Sequence, residues 1–150
     1  KIGSSLISSV ISNEHTTIGL TTNSSHAHRI YRLDAINGKG TDTQIWYNIE
    51  EKPFVLTKDE GTGKIYKEAI PSQIVLGHEL IHGLRNMNGT GRHWNIRKEY
   101  KYTDTQGGVW RDTKKLEELE TVGIISDERN KEYTENNLRK EQHLNIRIEY

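Results

Sequence analysis

Apolar residues recur along this chain at two spacings, and polar stretches separate them into short segments. Between Pro71 and Gly89, the residues Ile74, Leu80, Ile81, Leu84 and Met87 follow helical spacing. Proline is tolerated in a first turn and Ser72 can cap free N–H groups, so a helix is expected to start there. Asn88-Gly89 stops it, because glycine accepts the left-handed conformation that closes many helices. Elsewhere strand signals dominate. Thr16 to Thr22, His28 to Leu33 and Gln44 to Asn48 read as short strands rich in β-branched or aromatic residues. Phe54-Val55-Leu56 and Lys64-Ile65-Tyr66 flank Asp59-Glu60-Gly61-Thr62-Gly63, which predicts a hairpin. Leu6, Ile7, Val10 and Ile11 fit either helix or strand. A long polar loop, Gly89 to Gly108, is expected after the central helix; loops of that length are often functional, and this one could roof a cleft. Asp112 or Thr113 caps a second helix through Glu120 that Gly123 ends, and Thr134 caps a third through Gln142. Leu144, Ile146, Ile148 and Tyr150 alternate as a closing strand.

Composition narrows this picture. One domain, 1–150, is expected at this length. Hydrophobic residues make up 32% and charged residues 28%, so the core is small and a bound metal can add to its stability. Lys+Arg and Asp+Glu both number 21, which gives no net field toward nucleic acid or an anionic membrane. Trp46, Trp94 and Trp110 have no basic patch beside them and read as core or cleft lining. Without cysteine there is neither a disulfide nor a thiolate site. No transmembrane run or signal peptide is visible. A chain that begins at Lys1, with Met87 as its only methionine, reads as a processed product or a domain of something longer.

The candidate chemistry sits in the central helix, at His78-Glu79-Leu80-Ile81-His82. This is H-E-x-x-H, a pattern that arises in roughly 3% of shuffles of this composition. Histidines four apart project from one helical face, one turn apart, where two ring nitrogens can share a zinc ion. Glu79 projects beside them and can take a proton from a zinc-bound water. A catalytic zinc needs a third protein ligand. A histidine or aspartate at position 88 would supply it in two known arrangements, but Asn88 stands there. Glu117 and Glu118 on the next helix remain, and periodicity alone does not choose between them. His93 lies beside Trp94 and reads as a cleft wall; His26, His28 and His143 read as exposed.

These stretches resemble the NleD-like effector zinc metallopeptidases, which include type III effectors and toxin domains of Rhs and contact-dependent inhibition proteins. More distantly they resemble clostridial neurotoxin light chains. The likeness rests on His78 to His82, then Glu117-Glu118-Leu119-Glu120-Thr121-Val122-Gly123, and on three further stretches. These are Gly38 to Asn48, Thr134-Glu135-Asn136-Asn137-Leu138-Arg139 and Arg147-Ile148-Glu149-Tyr150. It departs at 52–69 and in the 89–108 loop. The resemblance implies that Zn2+ is held by His78, His82 and Glu118, with Glu117 and Thr121 supporting the ligands. It implies Glu79 as general base, and Arg147 or Tyr150 as donor to the oxyanion. On a straight strand those two would point to opposite faces, so the tail must turn for both to reach the site. Glu135, Asn136 and Arg139 either brace the site or cap a helix.

The expected fold is α+β. It is a small zincin-like domain, a mixed β-sheet with an edge strand packed on the H-E-x-x-H helix and a second, glutamate-bearing helix. Ile45, Trp46 and Tyr47 are expected to form the edge strand along which an extended substrate pairs. The expected function is a zinc endopeptidase, secreted or delivered by a bacterial secretion system, that cleaves a protein in the target-cell cytoplasm. It would act as a monomer, with an immunity protein as a possible partner. A zinc-stabilised, non-catalytic binding module is the alternative; it would close the site with a fourth ligand, for which His93 stands nearest in sequence.

Overall fold

The computed structural model describes residues 1–12 and 16–150. In chain order come α1 (Ile2–Ile11), β1 (Thr16–Leu20), β2 (His26–Arg29), β3 (Thr43–Tyr47), β4 (Phe54–Lys58) and β5 (Ile65–Ala69). Then follow α2 (Ser72–Met87), β6 (Arg97–Thr103), β7 (Val109–Lys115), α3 (Leu116–Val122), α4 (Glu135–Glu141) and β8 (Ile146–Arg147). Helix α2 is the hub. Its Ile74, Val75, Leu80, Ile81, Leu84 and Met87 join Leu6 and Val10 of α1, Ile45 of β3, Val55 of β4 and Leu138 of α4 in one apolar cluster. Two polar histidines and Glu79 lie in this same helix, so the fold buries the metal-binding pattern while it buries the core.

The described strands form three small sheets, ordered β1-β3-β2, β5-β4-β8 and β6-β7. The first is mixed: β1 runs parallel to β3, and β2 antiparallel. It packs on α2 through Ile45 and Thr43, which fill the space beside Gly83. Two glycines make the join between sheet and helix possible. A Cβ on Gly40 would stand 1.9 Å from the Met87 carbonyl oxygen, and Gly89, at φ +65°, lies against the Gly38 backbone. Only glycine permits that approach together with that backbone angle.

Several elements differ from expectation. The long polar loop is largely a hairpin: β6 and β7 pair antiparallel from Arg97↔Lys115 to Thr103↔Val109. Asp112 and Thr113 therefore sit in a strand, and α3 starts only at Leu116. The strand expected from His28 is shifted toward the N-terminus, to His26–Arg29, and the ambiguous first segment is helical. Pro71 occupies the position before α2, and the Ser72 hydroxyl bonds the Ile49 carbonyl (3.3 Å) instead of capping. The closing strand shrinks to two residues paired with Thr57 and Lys58, after which the tail leaves the sheet. Gly123 ends α3 in the left-handed conformation and Thr134 caps α4, both as expected.

Candidate active site

One turn of α2 brings His78 and His82 together, with the Nε2 atoms 3.1 Å apart. Glu118, in the first turn of α3, places Oε2 2.9 Å from His82 Nε2 and 3.4 Å from His78 Nε2. A tetrahedral zinc with donors at about 2.0–2.1 Å needs those donors roughly 3.3 Å apart, so this donor set fits the ion. Among the described residues it is the group of three His or acidic ligands drawn closely enough to hold a metal.

The opposite ring nitrogens are also held. His78 Nδ1 donates to Glu135 Oε2 (3.0 Å), and His82 Nδ1 donates to Glu117 Oε1 (3.4 Å). Each bond fixes a ring orientation and leaves Nε2 free to face a metal. Glu135 is in turn gripped by Arg139 Nε (2.7 Å) and Arg147 Nη1 (3.1 Å). Burial raises the Glu135 carboxyl, but the His78 bond and the two guanidiniums outweigh it and bring it down to about 2. Glu117 accepts the Arg92 backbone N–H and faces Arg29 and Arg85, each at 3.6 Å. Arg85 continues to Glu120 (2.7 Å) and Asp127 (3.2 Å). Burial lowers the His82 imidazole, yet the Glu118 charge and the bonds to Glu117 and Glu118 lift it to about 10. The same contacts hold Glu118 far below the usual carboxylate range against its burial. An arriving cation would find the carboxylate ionised and would displace protons from the rings.

The tail does turn. Asn136 clamps the backbone of Arg147, accepting its N–H (2.7 Å) and donating to its carbonyl (2.9 Å). Tyr100 holds Tyr150 by its backbone N–H (3.0 Å). The Arg147 guanidinium then lies 4.5 Å from the centre of the Tyr150 ring, and the Tyr150 hydroxyl donates to Glu118 Oε2 (2.7 Å). Burial and the Glu118 charge push that phenol well above its ordinary value. Arg147 is engaged otherwise, on Glu135 and on the Glu149 carbonyl (2.7 Å).

An open cleft of about 460 Å³ lies over His78, Glu79, His82, Glu118 and Tyr150, walled by residues 25–29 and by Arg92, His93 and Trp94. His93 stacks on Trp94 with ring centres 4.0 Å apart and stands outside the three-ligand group. Two expectations need correcting. Ile45, Trp46 and Tyr47 do not form an edge strand: β3 is central, with β1 on one side and β2 on the other. Ile45 is core, and the Tyr47 hydroxyl bonds the Ser72 carbonyl (3.0 Å). The edge strand against α2 and along the cleft is β2. Thr121 is fully buried, but its hydroxyl has no hydrogen-bond partner among the described residues, so it packs and does not brace a ligand. The sequence pattern does not choose between brace and helix cap for Glu135; its contacts with His78 and with Arg147 of the tail make it the brace.

The family model Peptidase_M91, described as an effector protein, matches residues 3–150. The chain belongs to this family. It is by that membership a metallopeptidase effector, and its His-His-Glu group could hold a metal ion. Among solved structures, the botulinum neurotoxin serotype C1 light chain protease is similar, at TM-score 0.51 and 15% identity. The likeness covers 70% of this chain and 27% of that one, and it concerns the fold. No curated protein matches the sequence. No described helix is long and apolar enough to cross a membrane.

Proposed function

We propose that this chain is a zinc-dependent endopeptidase of the H-E-x-x-H…Glu type, an effector or C-terminal toxin domain that cleaves a protein inside a target cell. The observation that carries this reading is the convergence of two imidazole nitrogens and one carboxylate beside Glu79, on the floor of an open cleft. His78, His82 and Glu118 would hold the metal. Bound zinc supplies a Lewis acid that polarises a peptide carbonyl and brings the pKa of water toward about 7.

Glu79 is buried but lines the cleft; it takes the proton of the attacking water and returns it to the leaving amine. Tyr150 brings its hydroxyl to the ligand group, where it donates to Glu118, and it would turn that proton to the oxyanion during the reaction. Arg147 is a positioning residue, holding Glu135 behind His78 and lying against the Tyr150 ring. The open edge of β2 is where an extended substrate adds as a further strand. Every ligand comes from one chain, which supports action as a monomer. Use between bacteria would require an immunity protein able to cover this cleft.

The deciding experiment compares the native protein with Glu79→Gln in bacterial and eukaryotic lysates, reading new N-termini and bound zinc. The expected result is one zinc per chain in both proteins and cleavage reduced about 10²–10⁴-fold in the variant. Retained cleavage, or protein that never binds zinc, overturns the reading.

A further inference from the structure

Charge is unevenly spread around the cleft. The carboxylates that line it are Glu79, Glu117 and Glu118, all on its floor. Its wall carries Arg29, Arg92, Arg32 and Lys115. Arg29 and Arg92 are engaged, with Glu117 and Glu120. Arg32 and Lys115 are exposed, and neither has a carboxylate partner among the described residues. Arg32 lies 5.6 Å from the centre of the Trp94 ring, a contact that orients the guanidinium without neutralising it.

Lys115 is also the last residue of β7, and there the cleft wall runs into the hairpin. Directly opposed residues of an antiparallel pair share a face, as do residues two apart along a strand. The pairs Arg97↔Lys115 and Lys101↔Arg111 therefore place four cations on one face. That face carries a single acid, Glu99, already bonded to Arg111 (3.0 Å). All of these residues are exposed, whereas the other face turns Tyr100 inward to hold the tail. The whole chain has no net charge, so this track is a local concentration.

We propose that this track, from Arg32 and Lys115 at the cleft to Arg97, Lys101 and Arg111 on the hairpin, is a docking surface for an acidic segment of the substrate protein. The proposal deepens the peptidase reading and rests on it. The acidic residues sit away from the cleaved bond, because the floor carboxylates would repel them there. A protein segment fits better than nucleic acid. Trp94 is already engaged by His93 and Arg32, and Trp110 lies on the opposite hairpin face, bonded to Asp104 (2.6 Å). The track thus offers bases no open stacking platform.

The test uses zinc-loaded Glu79→Gln protein, so that binding is read without turnover. Fluorescent twelve-residue peptides rich in glutamate, serine or lysine, and a single-stranded RNA of equal length, are compared by anisotropy at two salt concentrations. The glutamate peptide is expected to bind about tenfold tighter than the serine peptide, and the preference is expected to weaken with salt. Adding Arg32→Glu and Lys115→Glu is expected to turn the preference toward the lysine peptide. Both positions are exposed, and an unchanged circular-dichroism melt would show that the variant is folded. Equal binding of all three peptides, a preference untouched by the charge reversals, or tighter binding of the RNA overturns the proposal. Selective binding of the glutamate peptide by a protein whose native form cleaves nothing would uphold the docking surface while removing the peptidase reading.

Discussion

His78 leans on Glu135, a carboxylate without solvent exposure that Arg139 and Arg147 grip, whereas His82 leans on Glu117, which lines the cleft and faces buried Arg85 and the partly exposed Arg29. The first brace is assembled from α4 and the tail, and its bond to the ring is the shorter, 3.0 Å against 3.4 Å. The second draws on β2, α2, α3 and the stretch after α2. Water can replace part of what Glu117 does, because it reaches that brace from the cleft. It cannot replace Glu135, and a buried charge left without its partner is among the costliest defects a core can carry. The two histidines are chemically equivalent in the sequence pattern, yet the carboxylate behind one is fully buried and the carboxylate behind the other lines the cleft.

The largest effect expected from this contrast is that of Glu135→Gln. It leaves two buried guanidiniums without a counter-charge and should lower stability by about 3–5 kcal/mol in urea unfolding. Zinc affinity should fall about 10–100-fold in chelator competition. Arg147→Ala removes one of the two cations and should cost about 2 kcal/mol, with a further loss in kcat as the Tyr150 ring loses its neighbour. Glu117→Gln should weaken zinc about tenfold and cost about 1–2 kcal/mol in stability, less than at Glu135 because Arg85 keeps Glu120 and Asp127 as counter-charges. Equal losses for Glu117→Gln and Glu135→Gln would break the comparison.

The smallest effect is that of Asp127→Asn, behind the His82 brace. Burial raises the Asp127 carboxyl, but bonds from Asn130 and Arg129 outweigh it and bring it down to about 2. A depressed carboxyl stabilises the fold above its unfolded value and loses that contribution as the pH falls through the folded one. The variant should be less stable by about 0.5–1 kcal/mol at neutral pH. The gap should close between about pH 4 and pH 2 in urea melts.

What could be read from the sequence was whatever is local. Helix α2 announces itself through Ile74 to Met87 and Asn88-Gly89; the β4–β5 hairpin does so through Gly61 and Gly63, and α4 through Thr134. His78, Glu79 and His82 need only helical geometry, and choosing Glu118 over Glu117 took a family resemblance. Strand order is non-local, which is why β3, the strand with the strongest composition, was expected at the edge and lies in the centre. The β6–β7 hairpin is hard to see in the sequence because its outer face carries Arg97, Glu99, Lys101 and Arg111, residues that read as loop. Its signal was the alternation of Tyr100 and Tyr102 ahead of Gly107-Gly108. Glu135 could not be assigned, because its partners Arg139 and Arg147 meet it only once the tail docks.

Docking of the tail joins two parts of the site. The tail pairs with Thr57 and Lys58 by only two residues, and it depends for the rest on Asn136 and Tyr100. The carboxylate behind His78 gains its second guanidinium, and Glu118 its phenolic partner, in that same event, so a displaced tail would loosen the histidine and uncover the acid together.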